Sequence, residues 1–386
     1  MALPSVVELL RELVRRPSVN PMGRADVPPG WAHESRVTDY LEGHLRGLGV
    51  PVERVEVAPD RCNLVAHYAP LHAPFTVLWE AHQDTVPTDG MTVEPFAAEV
   101  RDGKVYGRGA CDVKGGAAAM LAAFGQLVTT KPPGCAAVTL AFTIDEEHTF
   151  LGVQSLMKSG LKPDCAIVAE PTSLNIVSAH KGVVRWAIET SGVASHSSRP
   201  ELGVNAIYRM AKVIVALEEY AIELTHGRRD ALLGTGTLSV GVVAGGVSPN
   251  TVPDRCRVEI DRRLLPGESP ADAIAAVEAF VRQRTGVPFT TLPPVFACPP
   301  LGAELSATLV AKLGACIDAV AGSHRVEAMP YGTDASTIAE AGVPVVVFGP
   351  GDIAQAHTKD EFIAVDQLHA AVEILVRFAT GGVAAS

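Results

Sequence analysis

Apolar residues recur every three to four positions at about 4–16, 33–48, 114–128, 204–224, 270–284, 303–320 and 365–379, the spacing that lines one face of a helix. Between most of these segments lie short continuous apolar runs bounded by turn residues, among them FTVLW, AVTLAF, CAIV and VPVVVF, which read as buried strands. The alternation predicts an α/β chain with a mixed sheet flanked by helices. The middle of the chain follows another order: a strand in VVRWAIET, a helix in VNAIYRMAKVIVALEEYAIEL, strands in TLSVGVVAG and CRVEIDRRL, a helix in PADAIAAVEAFVRQRT and a last strand near PFTTL. That order is βαββαβ, the ferredoxin-like arrangement, so residues 183–292 are expected to form a small domain inserted into a larger one made of 1–182 and 293–386. Within the insert, GGVSPNTVPD reads as a turn-rich loop.

Composition narrows the classes. With 386 residues, 47% of them hydrophobic, the chain can fill more than one core. No apolar stretch approaches the roughly 20 residues of a membrane span, and the first residues, MALPSVVELLRELVRRPS, carry helical spacing rather than a signal-peptide pattern, so a cytoplasmic protein is expected. Seven cysteines without a CxxC pair argue for buried reduced thiols, not a disulfide framework or a thiolate zinc site. A formal charge of −11 without a basic run argues against nucleic acid and anionic membrane as partners. Nor is there a GxSxG elbow, a GxxxxGK[ST] loop or a complete GxGxxG.

Chemistry concentrates where apolar runs give way to loops. EAHQDTVP places His82 and Asp84 two residues apart, on one side of an extended backbone. GRGACDVKGG carries Asp112, TIDEE carries Glu146 and Glu147, AEPT carries Glu170, and QAHTKDE carries His357. A lone His-x-Asp is weak evidence, but five such motifs at strand ends can converge on one crevice of an α/β sheet. Histidine and carboxylate donors without thiolate suit zinc, with cobalt or manganese as alternatives. Asp145, Glu146 and Glu147 stand in a row, and adjacent carboxylates repel unless solvated or bound to cations.

These motifs, together with HKGVVRW, GVASHSSRPELGVNAI, NTVPDRCRVEIDRR and YGTDAS, resemble nearly end to end the di-zinc metallopeptidase and deacylase family that includes acetylornithine deacetylase, succinyl-diaminopimelate desuccinylase, carboxypeptidase G and aminoacylase. FGPGDIAQAHTKDE and the stretch from AEPT to HKG look most like the acetylornithine deacetylase branch. The resemblance implies two Zn2+ ions, one held by His82, Asp112 and Glu170, the other by Asp112, Glu147 and His357, with Asp84 orienting a ligating imidazole. It implies Glu146 as general base towards a metal-activated water, a cis bond between Asp112 and Val113, and a homodimer in which His196 stabilises the oxyanion in the partner's active site. Asn250 and Arg263 match positions that contact substrate, and Gly332 and Thr333 are expected to line its pocket. Ala81 stands where many members carry glycine before the histidine. The implied reaction is hydrolysis of the amide in an N-acyl-amino acid; a dipeptidase or carboxypeptidase using the same metals is the nearest alternative, and a non-catalytic binding protein on the same fold the alternative of another class.

Overall fold

The apolar runs form the strands Thr76–His82, Ala137–Thr143, Cys165–Val168 and Val345–Val347 in the computed structural model, which describes residues 3–381. Thr76–His82 pairs in parallel with Ala137–Thr143 on one side and Cys165–Val168 on the other, and Cys165–Val168 pairs in parallel with Val345–Val347. A parallel strand is covered on both faces, which is why these runs are continuously apolar instead of alternating. Arg61–Tyr68 and Val52–Ala58 extend the sheet antiparallel at one edge; Ile176–His180 and Val326–Met329 complete its eight strands at the other.

Around the sheet stand the helices Val6–Val14, Ser35–Gly47, Lys114–Thr130, Ala307–Ala321 and Val365–Ala379. Lys114–Thr130 packs against Val365–Ala379 and Val6–Val14. Its residues are buried on nearly every side, as its run of alanines and glycines allows. Val6–Val14 begins where it does because Ser5 and Glu8 form a capping box.

The chain divides into two compact units, and those elements belong to the first, apart from the ends of Ile176–His180 and Val326–Met329. The second takes Ala179–Gly302 and Ala328–Ser336. Its strands lie in the order Thr237–Gly245, Arg255–Leu264, Gly182–Ser191, Thr290–Thr291, all antiparallel, with the helices Ala206–His226 and Pro270–Thr285 between them in sequence. Numbered along the chain that is 4-1-3-2, the ferredoxin-like order. Trp186, Met210, Val213, Leu217, Val258, Ile260, Val277 and Val281 fill its core. Pro270–Thr285 is bounded by a Ser269 cap, a proline in its first turn and Gly286 in the left-handed region, each suited to its place.

The second unit is wider than the stretch 183–292. Phe296–Cys298 pairs with Gly182–Ser191, His180 bridges to Leu301, and the Lys181 N–H donates to Met329, so strand pairing carries the unit past residue 292. The helices Leu151–Lys158 and Ala335–Glu340 escape the periodicity reading because both are shorter than the window over which it is legible. All seven cysteines are free, six of them buried. No helix among the described residues is long and apolar enough to cross a membrane.

Candidate active site

Every parallel strand of the first unit ends beside a metal-type residue. His82 is the last residue of Thr76–His82, Asp145 to Glu147 follow Ala137–Thr143, Glu170 follows Cys165–Val168, and the loop after Val345–Val347 leads to His357. Asp112 lies in the turn before Lys114–Thr130, and its bond to Val113 is cis. Because the strands are parallel neighbours, these ends meet at one edge of the sheet. Two triplets result, His82 with Asp112 and Glu170, and Asp112 with Glu147 and His357, the donor atoms of each lying within 4.8 Å of one another. Asp112 is shared: its Oδ1 stands 3.3 Å from His82 Nε2 and its Oδ2 3.2 Å from His357 Nε2. Glu147 Oε2 lies 3.2 Å from His357 Nε2, and Glu170 Oε1 3.9 Å from His82 Nε2. The close approach of strand ends needs Gly349, where a Cβ would fall 2.5 Å from the Glu170 carbonyl oxygen.

Behind the triplets is a buried polar network. His82 Nδ1 donates to the main-chain oxygen of Asp84 at 3.0 Å, closer than the Asp84 carboxylate at 3.5 Å. That carboxylate instead accepts from the N–H groups of Glu146 and Glu147, both at 3.2 Å, so Asp84 organises the turn that presents the two glutamates. The chain turns sharply here: Asp145 has a φ of 68°, and the N–H groups of Thr149 and Phe150 point back to its carbonyl. Asn20 Nδ2 bridges Asp84 and Asp145 at 2.8 and 2.9 Å, and Arg61 pairs with both Asp145 and Glu34. Asp145 is thus a buried, paired carboxylate and not a member of either triplet.

The electrostatics call for cations. Burial, reinforced by the charge on Asp112, pushes Glu170 well above the usual carboxylate range and raises Glu147 as well. Burial also opposes charge on His82 and Asp112. Asp112 and Asp84 nevertheless hold the His82 imidazole well above its ordinary value, and the two imidazoles hold Asp112 low. Hydrogen bonds to Asp112 and Glu147 push His357 up to about 10. Protons on the imidazoles therefore stand in for positive charge that the acids demand. Glu147 Oε1 is buried without a hydrogen-bond partner, an acceptor left for a cation. An N/O donor set of this kind fits metal ions.

The remaining candidates lie in the second unit. His196 is exposed, with Nδ1 2.8 Å from Ser198 Oγ, and strand pairing sets it opposite Thr251 and next to Asn250, whose carbonyl accepts from the Ser197 N–H. Arg263 lays its guanidinium along the Asp261 carboxylate. Gly332 packs where a Cβ would meet Cys298 Sγ at 2.5 Å, and the buried Thr333 donates its N–H to His180 Nε2 at 3.3 Å. Sequence reasoning missed Asn20, Arg61 and Glu361. Only the last stands in a quoted motif, at the end of QAHTKDE; the carboxylate of Glu361 is buried under the Asp112 loop.

A sheet of this topology with acids and histidines gathered at its strand ends is the frame of a metallohydrolase. Residues 78–381 match peptidase family M20/M25/M40, and the chain belongs to that family and is a hydrolase. It is 31% identical to an acetylornithine deacetylase of Myxococcus xanthus over 97% of both chains. It is 34% identical to an acetylornithine deacetylase of Erwinia tasmaniensis over 94% of this chain and 93% of that one. Among solved structures, the fold is shared with the M20 family metallo-carboxypeptidase Sso-CP2 of Sulfolobus solfataricus, at a TM-score of 0.79, 20% identity and coverage of 98% and 99%. Aminopeptidase PepT of Bacillus cereus shares it at a TM-score of 0.76, 21% identity and 98% of both chains.

Proposed function

We propose that this protein is a two-metal amidohydrolase that cleaves the amide of an N-acyl-amino acid, releasing a carboxylate and a free amino acid. The observation that carries the reading is the sharing of Asp112 between two donor triplets, which is what a bridging ligand requires. His82, Asp112 and Glu170 would hold one ion and Asp112, Glu147 and His357 the other. Zinc suits these donors best, with cobalt or manganese as substitutes, and when bound such ions polarise a carbonyl and acidify water at neutral pH.

The rest falls to the chain. Glu146, its N–H anchored on Asp84, takes the proton of the attacking water and passes it to the leaving amine, a role worth about 10²–10⁴-fold in rate. His196, exposed on the second unit, supplies the oxyanion donor from the partner subunit of a homodimer. Asn250 and Arg263 receive the substrate carboxylate, for which the planar guanidinium is suited, and Gly332 and Thr333 face the substrate. Arg263 already engages Asp261, so a substrate carboxylate would share or displace that contact.

Two features of the second unit support the dimer. Tyr208, Val215 and Ile222 stand exposed at seven-residue intervals on Ala206–His226, and Thr237–Gly245 is an edge strand with Val242 and Val243 exposed. Seven free thiols fit a reducing compartment such as the cytoplasm. The names of the full-length relatives favour acyl over peptide substrates. The test is amine release from N-acetyl-amino acids, N-succinyl-amino acids and dipeptides with added zinc or cobalt. Turnover of the acyl compounds is expected; preference for dipeptides would make the protein a peptidase, and no turnover of any would place its substrate outside these classes.

A further inference from the structure

The carboxylate of Glu361 is fully buried, and four donors from one short loop converge on it. Oε2 accepts from Arg108 Nη1 at 2.7 Å and from the Gly109 N–H at 3.0 Å; Oε1 accepts from the N–H groups of Cys111 at 2.9 Å and Asp112 at 3.0 Å. The Glu361 carbonyl also accepts from the Gly107 N–H at 3.0 Å. An ionised carboxylate has about four acceptor positions, and all are in use here. Arg108 is itself fixed, with Nε on the Pro87 carbonyl and its N–H on that of Pro95. Glu361 follows His357 by four residues, so one side chain joins the segment of one donor to the main chain of the donor both triplets share.

We propose that Glu361 is the positioning residue of the metal centre: its carboxylate sets the main chain at Asp112, and with it the side chain that both triplets use, against the segment carrying His357. This rests on the two-metal reading. Glu361 touches no substrate and supplies no ligand. Its consequence is unequal for the two ions. The triplet of Asp112, Glu147 and His357 draws two members from segments that Glu361 joins, whereas His82 and Glu170 are fixed by their own strands. Loss of Glu361 therefore weakens the second triplet more than the first.

The experiment titrates metal-free protein with cobalt(II) against a competing chelator and follows the visible d–d absorption. Wild-type protein is expected to take up two equivalents; fewer would count against the two-metal reading, not against Glu361 alone. Glu361→Gln keeps the volume but turns an NH2 towards two of the four donors in either orientation, leaving N–H facing N–H. One equivalent is expected to weaken by about 10–100-fold, the range for residues that orient ligands, and the other by less, with an altered cobalt spectrum. A variant that melts at a lower temperature but binds both equivalents with wild-type affinity and spectrum would overturn the proposal, because a merely structural role predicts that pattern. If Glu361→Gln does not fold, Glu361→Asp is read the same way. It keeps the charge on a stem too short to reach both pairs of donors; a weakened single equivalent supports the proposal, and two of wild-type affinity refute it.

Discussion

Asp112 and Glu146 separate two functions that the sequence places in neighbouring motifs. Glu146→Gln keeps the shape of the side chain and removes its capacity to accept a proton, so metal content is expected to stay at the wild-type level while kcat falls by about 10²–10⁴-fold. Asp112→Ala removes a donor from both triplets, and metal content is expected to fall as well. Metal analysis beside kcat decides it; unchanged stoichiometry in the Asp112 variant would falsify the bridging role. A second expectation concerns protons. His357 is pushed up to about 10, so at about pH 8 its imidazole in the metal-free protein carries a proton that a metal must displace, and the neighbouring acids shift His82 in the same direction. Lower pH favours the protonated form, so apparent metal affinity rises with pH and binding releases about one proton or more. Calorimetry in buffers of different ionisation enthalpy measures that number, and a value near zero would mean the imidazoles are not ligands. His82, Glu147, Glu170 and His357 were legible because each ends or follows an apolar run, and Asp112 because it stands in the motif GRGACDVKGG. Glu361 was not, since its partners are mostly main-chain N–H groups some 250 residues away, and a backbone donor leaves no mark on composition.

Strand ends, at the next scale, explain both what the site gains and what the pattern could not say. Apolar runs announce strands, but nothing in them states that Ala137–Thr143 lies between Arg61–Tyr68 and Thr76–His82; that order comes from pairing across the fold. The turn at Asp145 was likewise illegible, because its shape depends on Asp84, Asn20 and Arg61 from other segments. At the end of Ile176–His180 the strand sets a titrating group within the second unit. His180 is buried, with Nδ1 donating to the Lys181 carbonyl and Nε2 accepting from Thr333, so a neutral ring satisfies both partners and burial lowers its pKa to about 4. A second proton would set N–H against N–H. The sign follows: an unfolded chain binds this proton near pH 6.5 and the folded one does not, so the stability is complete above about 6.5 and is lost as pH falls towards about 4. The loss is on the order of 3 kcal/mol at most. Urea unfolding at about pH 7 and about pH 4.5 should show a smaller acid penalty for His180→Gln than for wild type. A His180 resonance titrating near 6.5 in the folded protein would refute the assignment.

For the whole molecule, the division of labour between the units is the main consequence. Every metal-type donor and Glu146 belong to the first, and His196, Asn250, Arg263, Gly332 and Thr333 to the second. If His196 serves the partner's site, neither subunit is complete alone, and the defect of one chain can be repaired by another. A chain carrying His196→Ala keeps Glu146, and a chain carrying Glu146→Gln keeps His196; each homodimer is expected to be nearly inactive. Mixed under conditions that exchange subunits, the two form a dimer in which one site joins an intact Glu146 to an intact His196 and the other lacks both. Activity should return to as much as half the wild-type level per mixed dimer. Exchange is verified separately by mass-tagged chains. If exchange proceeds and no activity returns, the histidine acts within its own chain or not at all, and the dimer, if one forms, has no part in the chemistry.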